Sequence, residues 1–134
     1  MKRLRIVILC FFSLIAGCAT ISGQASVEKF DKISKAYEKA LLRSQFVVAY
    51  QFLDPATVKE EIDFKKYENI KVVDYAVSGL TLSGDKIKIL QTVEIQYYWL
   101  DSYVLKSIQD KQRWRYSKED KNWLLQTGLP VFKQ

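Results

Sequence analysis

The sequence of residues 87–99 is Ile-Lys-Ile-Leu-Gln-Thr-Val-Glu-Ile-Gln-Tyr-Tyr-Trp, and this stretch decides the fold. Side chains of a β-strand point alternately to its two faces, so a period of two in hydrophobicity predicts a half-buried strand. Only Gln91 interrupts the apolar face, which consists of Ile87, Ile89, Val93, Ile95, Tyr97 and Trp99. The opposite face is polar, with Lys88, Thr92, Glu94 and Gln96. We therefore expect one long strand with one buried face and one solvent-exposed face.

Further extended segments flank this strand on both sides. Ser83-Gly84-Asp85 is typical of a tight hairpin, and Leu100-Asp101-Ser102 can reverse the chain again. The remaining predicted strands are 70–82, 103–116 and 122–127, with a turn at 117–121 before the last one. Strands joined by such short turns predict an antiparallel meander.

Before the strands, the apolar period is that of a helix. From Val27 to Leu41, apolar residues recur every three or four positions, with lysines opposite and Ser26 as a candidate N-cap. A break at 43–45 precedes a short second helix, and Asp54-Pro55 predicts a further helical turn to about Ile62. Helices followed by a meander predict an α+β domain at 27–134, with the helices on one face of a curved sheet.

This order of elements resembles the nuclear transport factor 2-like superfamily. The residues that carry the resemblance are Tyr50-Gln51-Phe52-Leu53-Asp54-Pro55, Arg113-Trp114-Arg115-Tyr116 and Asn122-Trp123-Leu124-Leu125. The resemblance implies a sheet folded around a helix into a cone with an internal pocket. That superfamily contains enzymes as well as binding and assembly domains, so the fold by itself selects no function.

The first seventeen residues have the layout of an export signal. Lys2, Arg3 and Arg5 precede an apolar stretch over residues 6–16, which is followed by small residues. About eleven residues are too few to span a hydrocarbon core of roughly 30 Å as a helix. We therefore expect residues 1–17 to be a cleaved signal rather than a retained transmembrane anchor.

Ile15-Ala16-Gly17-Cys18 resembles the lipobox of bacterial lipoproteins. The resemblance implies that Cys18 is lipidated and becomes the first residue of the mature chain, with 18–26 as a flexible tether. Ala19 in the second mature position resembles the pattern of outer-membrane lipoproteins facing the periplasm. The alternative is an ordinary signal peptide that happens to contain a cysteine. Because Cys10 lies in the signal, the mature chain keeps only Cys18 and has no disulfide.

The charge of the chain does not indicate a nucleic-acid partner. Removing three basic residues with the signal leaves 18 of 21 Lys and Arg against 15 Asp and Glu, a net charge of +3. Lys111 to Tyr116 mixes basic and aromatic residues, but strand alternation places Trp114 and Tyr116 on one face and the arginines on the other. We expect buried aromatics with solvated arginines, and no nucleic acid as partner.

The chain contains no histidine, which removes the commonest general base and the imidazole metal sites. No phosphate-binding glycine pattern or calcium loop is present, so we expect no cofactor and no metal. Enzymes of the superfamily commonly use an Asp inside the cone, together with His, Tyr or Arg. The candidate pocket residues here are Asp74, Tyr75, Tyr97 and Asp110.

Strict alternation sends Tyr98 to the face opposite Tyr97, and Tyr103 follows in the next turn. Tyr98 and Tyr103 are therefore candidate partner contacts, unless a helix covers them. The favoured hypothesis is a noncatalytic binding or accessory module, anchored in the envelope through Cys18, with an envelope protein as partner. The alternative is a pocket enzyme or small-ligand carrier of the cone fold, which requires an inward carboxylate or tyrosine and a cavity.

Overall fold

The computed structural model describes residues 18–134, with side chains from residue 25 onward. Its helices are α1 (Cys18–Leu42), α2 (Phe46–Tyr50) and a 3-10 helix (Phe64–Tyr67). Its strands are β1 (Ile70–Leu82), β2 (Lys88–Trp99), β3 (Lys106–Ser117) and β4 (Asn122–Leu125). Among these residues, no helix is both long and apolar enough to cross a membrane.

The four strands form one open antiparallel sheet in the order β1-β2-β3-β4, so the predicted meander is confirmed. The expected faces of β2 are confirmed as well. Ile89, Val93, Ile95 and Tyr97 are buried, whereas Lys88 on the other face is exposed. The chain is thus an α+β protein with its long helix packed on one face of the sheet.

Aromatic side chains join α1 to the sheet. The Phe30 ring packs edge-on against Trp114 and Trp123, with ring centroids 5.7 and 5.3 Å apart. Tyr37, two turns further along, packs edge-on against Trp114 at 5.5 Å. All four side chains are buried, so these large apolar surfaces account for much of the attachment of the helix.

The two ends of α1 lie at opposite ends of the sheet. Near its start, the Ser26 carbonyl accepts a hydrogen bond of 2.6 Å from Trp123 Nε1, and Lys29 Nζ donates to the Lys121 carbonyl in the β3–β4 turn. Just after its last residue, Ser44 Oγ accepts a 3.2 Å hydrogen bond from the Val72 amide, near the start of β1. The helix therefore runs from the β3–β4 turn toward the β2–β3 turn.

Several predicted element boundaries were wrong. Helix α1 begins at Cys18, so residues 18–26, expected to form a tether, are helical and Ser26 is no N-cap. That segment contains small and polar residues but no proline, so nothing in it stops a helix that packing stabilises further along. Residues 103–105 precede β3 rather than belonging to it, because Tyr103 adopts a left-handed φ of 52° and ends the extended run.

The helical turn predicted after Asp54 stops early. Asp54 does cap it, since its Oδ1 accepts a 2.9 Å hydrogen bond from the Ala56 amide, and the Val58 amide bonds the Asp54 carbonyl. Beyond Val58 the chain is irregular until Asp63, whose side chain accepts from the Lys65 amide and starts the 3-10 helix. A second local cap thus replaces a continued helix.

Strand β1 is an edge of the sheet, and its pairing with β2 shifts register twice. Val73 and Ser78 are the extra residues, because the pairs move from Val72↔Tyr97 to Asp74↔Gln96 and from Val77↔Val93 to Gly79↔Thr92. Such bulges increase the local twist of a strand. The second half of β1 is also poorly covered, with Leu80 54% exposed.

Candidate functional site

A cluster of buried polar side chains lies on the helix-facing side of the sheet. Gln91 and Gln112 are opposite one another in the β2–β3 register, and Tyr75 reaches them from β1. Both glutamines are almost fully buried, at 4% and 2% exposure. The period of two places them on the same face as the core, where a polar side chain is costly unless it is hydrogen-bonded.

Gln112 is the centre of this cluster. Its Nε2 donates to Tyr75 Oη at 3.1 Å and to Asp110 Oδ2 at 2.9 Å. Its Oε1 accepts from Trp114 Nε1 at 3.1 Å and from Gln91 Nε2 at 3.2 Å. One amide therefore satisfies groups from all three long strands, which fixes their side chains relative to one another.

Asp110 is the acidic member of the cluster, and it is half-buried. Burial raises the pKa of its carboxyl, and the hydrogen bond from Gln112 opposes this only in part. Burial also raises the pKa of Tyr75, so this phenol stays neutral at physiological pH. A neutral phenol beside a destabilised carboxylate can bind a polar ligand, but neither group is an activated nucleophile.

Among the described residues, the Tyr37 hydroxyl is the one buried side-chain polar group without a hydrogen-bond partner. Its hydroxyl is fully buried, and no described residue bonds it. Burial and the nearby negative charge of Asp110 raise the pKa of this phenol well above its ordinary value. An orphaned buried hydroxyl costs about 1–3 kcal/mol, and such groups call for an explanation by a ligand, a water or a tolerated strain.

A cleft of about 680 Å³ opens beside this cluster, between β3 and the C-terminal segment. Ser107 and Asp110 line it from the strand, and Thr127, Gly128 and Lys133 line it from the segment. Asp110 is the only cluster member in its wall. The carboxyl group is therefore the point at which a molecule in the cleft would meet the buried polar network.

The structure brings together two of the four predicted pocket residues, Tyr75 and Asp110. Tyr97 also points inward, but its hydroxyl donates to the Lys133 carbonyl at 2.8 Å and accepts from the Lys133 amide, so it holds the C-terminal segment instead. Asp74 was wrongly included. It pairs with Gln96 and is exposed, because the register shift at Val73 turns it to the outer face.

Three members of the cluster, Gln91, Gln112 and Trp114, were not predicted as site residues, and neither was Tyr37 on α1. Gln91 carried a signal, because it breaks an otherwise apolar face. Gln112 occupies the equivalent position in β3, between Asp110 and Trp114. Two glutamines on the buried faces of adjacent strands predict a polar pair, but Tyr37 has no comparable signal within an amphipathic helix.

A second candidate site is the exposed apolar surface at the β2–β3 turn, which we call the hairpin tip. It consists of the exposed Leu100, Tyr103, Val104 and Leu105 and the half-buried Tyr98. Tyr103 is 73% exposed and stacks on Tyr98, with ring centroids 5.6 Å apart and planes at 28°. No described helix covers this surface. The turn itself is ordered by hydrogen bonds from the Ser102 and Tyr103 amides to the Trp99 carbonyl.

The segment around Trp114 has the arrangement expected for a strand with one buried face. Trp114 is fully buried and Tyr116 half-buried, whereas Arg113 and Arg115 are exposed. Within residues 18–134, no three His, Cys, Asp or Glu side chains are grouped closely enough to hold a metal ion. The chain matches no protein-family model, no curated protein and no solved structure.

Proposed function

We propose that this chain is a noncatalytic binding module of the bacterial cell envelope, anchored by lipid on Cys18 and contacting a protein partner through the hairpin tip. The observation that carries the proposal is the exposure of four apolar or aromatic side chains in one turn, Leu100, Tyr103, Val104 and Leu105, with the half-buried Tyr98 stacked against Tyr103. Most exposed apolar residues of a protein are scattered, and a contiguous group of them marks an interaction surface.

The composition of the hairpin tip suits a protein contact. Tyr98 and Tyr103 combine large apolar surfaces with hydroxyl groups that hydrogen-bond, and tyrosine is enriched where partners bind. Their mutual stacking limits side-chain motion before binding, which reduces the entropy lost on association. Val104 and Leu105 extend the same surface, each more than half exposed.

We also propose that the domain has the cone-shaped fold of the nuclear transport factor 2-like superfamily. The order of a long helix, a short helix and an antiparallel meander supports it. So does the placement of Tyr75, Gln91 and Asp110 on the helix-facing side of the sheet, where a cone would have its pocket. The proposed localisation is the outer membrane, with the domain facing the periplasm.

Crosslinking tests the partner contact. Mild formaldehyde treatment of producing cells should join wild-type protein to a specific partner, and Tyr103→Ala should lose that product. Leu90→Ala is the matched control, since Leu90 is 55% exposed near the opposite end of β2. A product that survives Tyr103→Ala and Tyr98→Ala alike contradicts the proposed contact.

Metabolic labelling tests the anchor. Cells given a radioactive fatty acid should incorporate label into the wild-type protein and none into Cys18→Ser. Label in the Cys18→Ser protein would overturn the lipobox assignment while leaving the partner contact to be judged by crosslinking.

A small-ligand carrier is the second candidate, favoured by the cleft beside Asp110 and the unpartnered Tyr37 hydroxyl. Native mass spectrometry of freshly purified protein should then show a bound small molecule, reduced in Asp110→Asn. If the wild-type protein shows only the mass of the chain itself, without a bound small molecule, the result argues against a carrier.

A further inference from the structure

We propose that the groove between β3 and the C-terminal segment binds an extended peptide of another protein, which pairs with the open edge of β3 as an added strand. The groove is the cleft of about 680 Å³ that has Asp110 in its wall. Neither Cys18 nor Tyr103 borders it, so peptide binding there depends on neither the proposed lipid anchor nor the hairpin tip.

Strand β3 is paired with β4 over only part of its length. The pairs run from Trp114↔Leu125 to Ser117↔Asn122, whereas β3 begins at Lys106. Residues 106–113 therefore have β2 on one side and, within the described chain, no strand on the other. No extra residue interrupts the pairing of β2 with β3. This part of β3 is thus a regular strand with an open edge.

The backbone groups of alternate residues point to that open edge. The Arg113 carbonyl accepts a 2.8 Å hydrogen bond from the Gln126 amide, on the β4 side. Because the direction alternates along an antiparallel strand, the N–H and C=O groups of Ser107, Gln109 and Lys111 point to the same side. No hydrogen bond from a described residue reaches these groups. They form the row of donors and acceptors with which an added strand pairs.

The residues that follow β4 are unsuited to occupy this edge themselves. Continuing the β4 register would bring Pro130 opposite Gln109, at a position where a backbone N–H has to donate. Proline has no N–H, so this bond cannot form. The backbone pairing already fails before that point, since the Arg113 amide donates to the Thr127 hydroxyl at 3.3 Å instead of to a backbone carbonyl.

The C-terminal segment, residues 127–134, is held as the far wall of the groove. The Phe132 ring packs against Tyr97, with ring centroids 4.8 Å apart. Tyr97 Oη and Trp99 Nε1 both donate to the Lys133 carbonyl, at 2.8 and 3.0 Å. The segment is thereby fixed both here and at Gln126. Because a second copy carries the same wall beside its own β3, two such edges cannot meet directly, whereas a single extended peptide can enter.

Asp110 determines which side chain the peptide carries at the middle of the groove. Its carboxyl is half-buried and accepts one hydrogen bond, from Gln112, among the described residues. No described Lys or Arg forms an ion pair with it, including Lys133 in the opposite wall. A residue opposite Asp110 in an added antiparallel strand lies within about 5.5 Å of it, Cβ to Cβ, on the same face. Lysine at that position would pair with the carboxylate, so we expect a basic residue flanked by good strand formers.

Hydrogen exchange followed by NMR tests the pairing. In the free protein, the amides of Ser107, Gln109 and Lys111 should exchange much faster than those of Ile108 and Asp110, which point to β2. The probe is the capped peptide Thr-Val-Thr-Lys-Thr-Val-Thr. With its lysine opposite Asp110, the valines lie on the helix-facing side, and the backbone groups of the threonines point to β3. At millimolar concentration this peptide should slow exchange of the 107, 109 and 111 amides several-fold.

Two methylated peptides provide the matched control. N-methylation of the two central threonines should abolish the slowing, because it removes donors that face β3. N-methylation of the two valines should leave the slowing in place, because their N–H groups point away from β3. An equal effect of the two methylated peptides, or no slowing by the unmodified peptide, overturns the proposal.

Protein variants separate backbone pairing from side-chain contact. Gln109→Ala should bind the peptide as wild type does, whereas Asp110→Asn should weaken its binding several-fold. The weakening should disappear for a peptide with alanine in place of the lysine. A loss of binding in Gln109→Ala as large as that in Asp110→Asn contradicts recognition through the backbone.

The free protein supplies two further outcomes that would overturn the proposal. Slow exchange of the 107, 109 and 111 amides in a monomer means that the C-terminal segment itself closes the edge in solution. Slow exchange in a dimer, recognised by sedimentation, means that a second copy occupies it. The partner crosslink at the hairpin tip is a separate measurement, so the proposed function can fail while the peptide groove is confirmed, and the reverse.

Discussion

Two buried tyrosines of the same interior differ in whether their hydroxyls are satisfied. Tyr75 bonds Gln112 and Gln91, whereas the Tyr37 hydroxyl has no partner among the described residues. Tyr37→Phe should therefore raise the free energy of unfolding by about 1 kcal/mol, because an unsatisfied buried group is removed. Tyr75→Phe is the matched control and should lower it by about 1–3 kcal/mol. Urea titration followed by tryptophan fluorescence measures both changes.

A loss of stability in Tyr37→Phe would contradict this expectation. It would mean that a water or a small molecule bonds the hydroxyl in solution. Only a small molecule would favour the carrier, and native mass spectrometry distinguishes it from water.

Asp110 makes stability depend on pH in a direction opposite to that of most acidic residues. Because burial raises its pKa in the folded state above the ordinary 3.8, the folded chain binds the proton more tightly than the unfolded chain. Its contribution to stability is therefore complete below about pH 4 and is lost as pH rises through the raised native pKa.

Asp110→Asn should accordingly be more stable than wild type at pH 7, with the difference shrinking toward pH 3. Thermal unfolding at both pH values measures it. Asp74→Asn, on the exposed face of β1, should stay within about 0.5 kcal/mol of wild type at each pH. If Asp110→Asn is less stable than wild type at pH 7, burial is not the main influence on the pKa of the Asp110 carboxyl.

At the scale of elements, attachment of α1 depends on a few aromatic contacts. Phe30→Ala should cost about 3–5 kcal/mol, since it opens a cavity between Trp114 and Trp123. Lys32→Ala, on the exposed side of the same helix, should change stability by no more than about 0.5 kcal/mol. Denaturant unfolding checks both. A loss below 1 kcal/mol for Phe30→Ala would mean that α1 is held mainly by other contacts.

Periodic elements were predictable from the sequence and special geometries were not. Strand β2 and its two turns follow from alternation and turn chemistry, which act over a few neighbouring residues. The side on which Asp74 lies depends on a bulge at Val73, and a one-residue shift reverses the face of every later side chain. The Gln112 network depends on three strands meeting, so only Gln91, as a break in an apolar face, indicated it in advance.

At the scale of the whole molecule, anchoring and folding should be separable. Cys18→Ser should move the protein from the membrane fraction to the soluble fraction of the envelope. Its free energy of unfolding should remain within about 0.5 kcal/mol of wild type, because the core of the described residues begins at Phe30 and contains no cysteine. Fractionation tests the change of location, and urea titration tests whether the free energy of unfolding is unchanged. A large loss of stability in the released protein would show that residue 18 contributes to the fold itself.

The proposed anchor would concentrate copies of the domain in a plane, where every copy presents the same open β1 edge. A flat, apolar edge of 13 residues under such crowding would invite strand-to-strand aggregation. The two extra residues, Val73 and Ser78, interrupt the hydrogen-bonding repeat at intervals shorter than a typical strand. The longest stretch without an extra residue is then four residues, which is short for pairing with another chain. The two bulges would thus help the chain to remain separate at high surface density without giving up the apolar side chains of that strand.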